Sequence, residues 1–550
     1  MNSSARPRPR RAIFCLLACL WLGPGAALAA EAVEQWGLFE VELSGPSDAN
    51  PFLGVDVSAV FTHEIHSVTV PGFYDGDGTY RVRFMPERTG EWRYVTRSNR
   101  AELAGREGSV TVVPPGPDNH GPVHVHNVHH FAYADGTPFR PLGTTAYTWT
   151  HRTEEIEQQT LSTLARSPFN KIRMAVLPQD HGIEFMPPPR FPFQGTPPRD
   201  WDFTRFNPEF FRHLERRMGQ LRDLGIESDL ILLHPYGKTW NFHAMDANSD
   251  DRYVRYVVAR LAAYRNVWWS LANEYDFVRT KDEADWDRLF QVVQDADPYH
   301  HLRSIHNGNR IYNHTLPWVT HVSMQNGPAV VEAGPAELLR EVYRKPVIID
   351  EARYEGNFMR WANLSGREMV HRFWAGTVAG IYVGHGEYFI DPNQVTWLGQ
   401  GGVLKGDSPP RLAFLRQVME ESPAGGINPI DRWESADIGG RPGEYYLLYF
   451  GREAPKEWTF RLPRYRLTDG MEFKVEILDT WNMAVTPVEG VFVTKMRPPY
   501  DFKPGSRDER LTDERDGRTI ALPGRPGIAL RIRHVGGADP VPPTDPPIEP

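Results

Sequence analysis

Apolar and polar positions change rhythm three times along this chain. From residue 30 to about 113 they alternate in short runs, "EQWGLFEVELSG", "GVDVSAVFTH" and "YRVRFMPERTGEWRYVTRSN", broken by turn signals at Asp75-Gly76-Asp77-Gly78 and Thr89-Gly90. Period-two runs at that spacing predict a β-sandwich. "PPGPDNHGP" (114–122) marks a boundary. From 123 to 422 apolar runs alternate with helical periodicity. The candidate strands are "FRPLGTTAYTW" (139–149), "FNKIRMAVLP" (169–178), "IESDLILLHPYG" (226–237), "VWWSLANEYD" (267–276), "LRSIHNG" (302–308), "VTHVSMQN" (319–326), "KPVIIDEARYEG" (345–356) and "GIYVGHGEYF" (380–389).

The segments between them carry helix signals. Phe211, Leu214, Met218 and Leu221 share one face of a stretch that opens at Asn207-Pro208 and stops at Gly225. Val254, Val257, Val258 and Leu261 do the same after a predicted Ser249-Asp250 cap. Six of the seven connections read as helices, the fifth (309–318) is short, and a last helix covers 408–421. The fold class is therefore α/β, a (β/α)8 barrel. Alternation returns from 425 to 534, predicting a second β-sandwich, and 535–550 is a proline-rich tail.

In such barrels chemistry gathers at the C-terminal ends of the strands. Those ends carry Tyr147 and Trp149, Arg173, His234 and Tyr236, Asn273 and Glu274, His306, Gln325, Glu351, then His385 and Glu387. Glu274 ends the fourth strand and Glu351 the seventh, which face each other across the mouth. Glycoside hydrolysis needs such a pair: a carboxylic acid to protonate the leaving oxygen, and a carboxylate to attack or to activate water. Asp350 flanks Glu351, but alternation sends the two to opposite faces, so only one is expected to enter the mouth. Tyr147, Trp149, Tyr236, Tyr275 and Trp397 are candidates to stack on sugar rings. Arg173, the three histidines, Gln325 and Glu387 are candidate substrate contacts.

"LANEYD" followed by "VIIDEARYEG" resembles the clan A retaining glycoside hydrolases. The resemblance implies that Glu274 is the acid/base, that Asn273 binds the sugar 2-hydroxyl, and that Glu351 is the nucleophile. Many clan members position the nucleophile with a Tyr or His on strand six, where this chain offers Gln325. Across nearly the whole length, through "HFAYADGTPFRPLGTTAYTW", "FNKIRMAVLP", "VGHGEYF" and "ILDTWNM", the chain also resembles bacterial proteins of three parts: a DUF5060-type N-terminal sandwich, an apiosidase-like (DUF4038-type) barrel and a DUF5605-type C-terminal sandwich.

Composition narrows the partners. A formal charge of −9 argues against nucleic acid. Residues 1–29 read as a signal peptide: a basic start (Arg6, Arg8, Arg10, Arg11), an apolar core (12–22) and a small-residue site at Ala27-Leu28-Ala29. The expected location is secreted or periplasmic, with lipid anchoring at Cys19 as a minor alternative. Both cysteines, Cys15 and Cys19, fall in this segment, so the cleaved chain has neither a thiol nucleophile nor a cysteine metal site. No later run reaches the ~18 apolar residues of a membrane span.

The histidines between His120 and His130 could bind a metal, but a hairpin under the barrel is the simpler reading. The expectation is thus a hydrolase of a plant or algal polysaccharide or oligosaccharide, with no cofactor and no metal. A non-catalytic carbohydrate-binding barrel and a metal-dependent barrel hydrolase are the alternatives. The oligomeric state is not encoded legibly.

Overall fold

The computed structural model describes residues 32–180, 186–358, 360–390, 392, 395–430, 438–496, 510–513 and 517–542. The predicted signal peptide and the second half of the proline-rich tail lie outside them. At the centre is a parallel eight-stranded barrel. Its strands are β1 (Gly143–Thr145), β2 (Lys171–Ala175), β3 (Glu227–Leu233), β4 (Val267–Ala272), β5 (Arg303–Ser304), β6 (Val322–Gln325), β7 (Val347–Glu351) and β8 (Tyr382–His385). Hydrogen bonds run in the order β5-β4-β3-β2-β1-β8-β7-β6. The remaining seam is bridged by Thr320, whose N–H reaches Arg303 O at 2.9 Å while its Oγ1 accepts from Arg303 N at 2.7 Å.

Helices fall where the periodicity predicts: α1 (Glu154–Leu164), α2 (Pro208–Asp223), α3 (Ala247–Leu261), α4 (Glu283–Ala296), none after β5, α5 (Ala333–Tyr343), α6 (Gly366–Val378) and α7 (Ser408–Glu420). Asn207 caps α2, its side chain accepting from Glu209 N. The cap of α3 is Asp246, not Ser249-Asp250; Asp246 accepts from Ser249 N at 2.8 Å, and Asp250 is buried against Lys281. An aspartate one turn upstream supplies the cap instead, and periodicity alone cannot tell the candidates apart.

The two tryptophans of β4 divide the strand's work. Trp269 points outward, giving its Nε1–H to Asp297 beyond α4 at 3.0 Å. Trp268 points inward at the closed end, beside Phe131 and Phe139 of the hairpin that plugs the barrel floor. Of the histidines of that hairpin, His130 is occupied in packing: it meets Tyr382 Oη at 2.9 Å and Asn428 Oδ1 at 3.0 Å, while His126 is exposed.

Both flanking domains are mainly antiparallel sheets curled over their own cores, Phe61 and Phe84 stacking in the first, Phe460 and Phe492 in the second. Both dock on barrel helices. Arg83 reaches Glu215 of α2 at 2.7 Å and Arg260 O of α3 at 2.8 Å. Trp481 of the C-terminal domain lies between the guanidinium groups of Arg367 and Arg411.

Candidate active site

The end of β4 is bent to serve the mouth. Asn273 still belongs to the ladder, its N–H bonded to Leu233 O at 3.0 Å. Glu274 then takes φ 45°, a left-handed conformation uncommon for a residue with a side chain. Such a backbone costs roughly 1–3 kcal/mol and persists only where the surroundings hold it. Here Tyr275 N is bonded to His306 O at 3.0 Å, and Asp276 accepts from Gly308, Asn309 and Arg310 N–H groups at 2.6, 2.8 and 2.9 Å. Asp276 therefore ties the β5 loop to the turn that aims Glu274.

Strand β7 reaches the mouth by another device. Its register against β6 slips between Ser323 and Gln325, so Gln325 pairs with Glu351. This irregularity turns Glu351 into the mouth although Asp350 already faces the interior, where it meets Lys171 at 3.0 Å. The expectation that only one of the two points inward is corrected: Asp350 lies one layer below Glu351.

Glu274 and Glu351 share a contact. The Gln325 amide has only acceptors at one end, which assigns its nitrogen there: Nε2 lies 2.7 Å from Glu351 Oε2 and 3.0 Å from Glu274 Oε1. One nitrogen touching both keeps those oxygens under about 6 Å apart, closer than an inverting pair requires. Glu351 Oε1 is held on its other side by the Tyr147 hydroxyl and by Arg173 Nη1 at 3.4 Å; His306 Nε2 lies 3.4 Å away without completing a hydrogen bond, a contact that becomes an ion pair only when the ring is protonated.

These surroundings drive the two carboxyls apart. Burial and the Glu351 charge push Glu274 up to about 8. Burial also works against the charge on Glu351, yet His306, Arg173 and the Tyr147 hydroxyl bring it down to about 2. Near neutrality one carboxyl is an acid and the other an anion.

A cavity of about 460 Å³ opens over the pair. Of the residues predicted from sequence, Tyr147, Tyr236, Asn273, Glu274, Gln325 and Glu351 line it. Others do not. Arg173 is buried beneath, bonded to Asn273 Oδ1 at 2.8 Å, and His306 is buried behind Glu351, so both act through the carboxylate or the amide. His234 is locked between Leu177 O (3.0 Å) and Tyr236 N (3.1 Å) and positions that tyrosine.

Trp149 and Trp397 are buried away from the cavity, their Nε1–H groups on Met174 Sδ and Thr144 Oγ1. Tyr275 packs edge-on against Trp286 and Tyr312. His385 stacks on Phe169 outside the barrel and meets Thr144 Oγ1 at 2.9 Å. Glu387, with Glu355, accepts consecutive backbone N–H groups from Lys405 to Ser408 at the start of α7. As substrate contacts these five are corrected. A strand end can turn outward as easily as inward, and the apolar shell between barrel and helices claims bulky rings. In the close group Glu355, His385 and Glu387, the row of N–H donors thus occupies the two carboxylates, while His385 meets Thr144.

The comparisons follow this anatomy. Residues 32–99 match the domain of unknown function DUF5060, 125–387 the apiosidase-like catalytic domain, and 433–533 the domain of unknown function DUF5605. A Bacteroides vulgatus ATCC 8482 crystal structure, provisionally assigned as a glycoside hydrolase, is 42% identical; the match covers 92% of this chain and 100% of that one, with a TM-score of 0.87. The chain belongs to the apiosidase-like glycoside hydrolases. A glycoside hydrolase family 5 structure from the same organism, 15% identical over 76% of this chain and 93% of its own, shares the fold at a TM-score of 0.55. No curated protein matches.

This apiosidase-like site also contains residues that the strand-end reading missed. Arg353, Tyr354 and Trp361, from the loop after β7, line the cavity with Tyr388. Trp361 packs on Tyr388 at 4.7 Å between ring centroids, making an aromatic wall beside Glu351. The aromatic-rich run after "VIIDE" was the available signal. Tyr147 was predicted to stack on sugar, and its hydroxyl instead holds Glu351, the task that clan members assign to strand six.

Proposed function

We propose that the protein is a retaining glycoside hydrolase of a polysaccharide or oligosaccharide, with plant or algal glycans as the expected class. The observation that carries this reading is the Gln325 amide touching both carboxyls, since that spacing suits double displacement. Glu274, protonated, gives its proton to the glycosidic oxygen as that bond breaks. Glu351 attacks the anomeric carbon and forms a glycosyl ester. Glu274, now a carboxylate, takes a proton from water, which attacks the same carbon and frees Glu351. Asn273 offers its amide nitrogen to the sugar, and Trp361 with Tyr388 offers an apolar face. A barrel that only bound glycans would have no use for two carboxyls held in opposite protonation states. The basic and apolar start of the chain supports export of the enzyme.

The test is hydrolysis of a glycan panel by residues 30–550, by Glu274→Gln and by Glu351→Gln, with and without chelator. Wild type is expected to release sugar of retained anomeric configuration, and each variant to lose at least ~100-fold. Equal turnover by either variant removes that residue from the mechanism, and sensitivity to chelator favours the metal-dependent alternative.

A further inference from the structure

Beneath the mouth lies a chain of buried polar groups that the mechanism above does not use. Lys171 Nζ sits 2.6 Å from Asp229 Oδ2 and 3.0 Å from Asp350 Oδ1. Asp350 Oδ2 lies 2.6 Å from Ser323 Oγ, and Ser323 Oγ 3.1 Å from His306 Nδ1. His306 Nε2 then meets Glu351 Oε1 at 3.4 Å. All these side chains except Glu351 are 3% exposed or less. They come from five strands or strand ends, so the chain threads the barrel from wall to wall.

Counting protons along it fixes the histidine. Burial opposes a charge on Asp350, but Lys171 and Arg173 hold its carboxyl well below the usual range, so it can only accept. Ser323 has a single hydroxyl proton, and the short contact to Asp350 claims it. Toward His306 the serine must therefore accept, which places a proton on Nδ1. With Nδ1 protonated, a neutral imidazole would turn a bare Nε2 lone pair toward the anionic Glu351. Only a second proton, on Nε2, makes that contact attractive.

A charged ring would also balance the layer. Two cations, Lys171 and Arg173, face three anions, Asp229, Asp350 and Glu351, in this layer, and one more positive charge on His306 makes the layer neutral.

We propose that Asp350 and Ser323, anchored by Lys171, are positioning residues that fix His306 as the Nδ1–H form, so that His306 holds the Glu351 carboxylate only as an imidazolium. The kinetic part of this proposal rests on the glycosidase reading. The groups facing the ring are Glu351 and Asp350 from β7, Arg173 from β2, and His314 from the loop before β6. Burial and Arg173 outweigh the carboxylates and pull the ring below an ordinary histidine, so the charged form belongs to the acid side of neutrality. On raising the pH, wild type is expected to lose part of its kcat/KM, roughly ten-fold, as His306 gives up the Nε2 proton and its hold on Glu351.

Asp350→Asn tests this by reversing the chain without breaking it. The new amide can give a proton to Ser323 and accept from Lys171. Ser323 then donates to His306 Nδ1, and a neutral ring carries its proton on Nε2. In 15N-histidine-labelled protein, His306 Nδ1 is expected to be protonated in wild type and bare in Asp350→Asn, with resonances assigned by difference against His306→Gln. The partial fall in kcat/KM should disappear from the variant's pH profile. Ser323→Ala, which removes the acceptor, should release the same tautomer and serves if Asp350→Asn folds poorly. A bare Nδ1 in wild type, or an unchanged tautomer and profile in a folded variant, overturns the proposal. The tautomer is read without substrate, so an inactive wild type would sink the glycosidase reading alone.

Discussion

Arg173 Nη2 donates to Asn273 Oδ1 at 2.8 Å, which turns the amide so that its nitrogen, not its oxygen, faces the cavity. The arginine thus presents a hydrogen-bond donor beside Glu274 while holding Glu351 with its other nitrogen. Asn273→Ala is expected to lower kcat/KM by about 10²-fold, the usual cost of one preorganised donor. Asn273→Asp should do worse, because it sets a third carboxylate beside two others and pulls Arg173 away from Glu351. Steady-state kinetics of the two variants decide it, and an aspartate variant equal to wild type contradicts the assignment.

On the proposed mechanism, the alkaline end of the activity profile is expected to follow Glu274. Its carboxyl is pushed up to about 8, so the acid form needed for protonating the leaving oxygen is present below that pH and is lost above it. The remaining kcat/KM should therefore fall with a midpoint near about 8. Replacing Glu351 by Gln removes the neighbouring charge and should bring Glu274 down, an effect readable by infrared titration of the carboxyl stretch. An unchanged Glu274 in that variant would mean that burial alone raises it.

Gln325 separates two carboxyls that would otherwise repel across the gap. Its hydrogen bond favours the ionised form of Glu274 and so opposes the upward push. Gln325→Met keeps the volume and removes the donor. The alkaline midpoint should move above its wild-type value, and kcat/KM should drop by about 10²-fold. Should the midpoint move downward instead, the amide is not oriented as its contacts require.

Much of this architecture is legible in the chain because periodicity and caps act locally. Six helices of seven connections, the short fifth link and the Asn207-Pro208 start all follow from side-chain spacing. Glu274 and Glu351 could be placed because a strand end fixes where a side chain begins. What it does not fix is direction. Trp149, His385 and Glu387 sit at or just past strand ends too, yet packing against helices and the α7 N-terminus turns them away. The irregular pairing that lets Asp350 and Glu351 both face inward is a tertiary event, invisible to alternation. Trp361 and Tyr388 meet only because the loop after β7 folds back onto the end of β8.

The barrel floor carries a stability switch of its own. Glu227 opens β3 at the end away from the mouth, is 4% exposed, and accepts from Trp268 Nε1 at 2.9 Å. Burial pushes its carboxyl up to about 8, against about 4.3 in an unfolded chain. A raised value means that the folded state favours the protonated form. Its contribution to stability is therefore complete below about 4.3 and is lost as the pH climbs toward about 8, by an amount on the order of a few kcal/mol. Glu227→Gln keeps the shape and the acceptor for Trp268 while removing the ionisation. Thermal unfolding should find the variant more stable than wild type at pH 8, with the gap closing at pH 5. A variant less stable than wild type at both pH values would show that Glu227 is held as a paired carboxylate, not a buried acid.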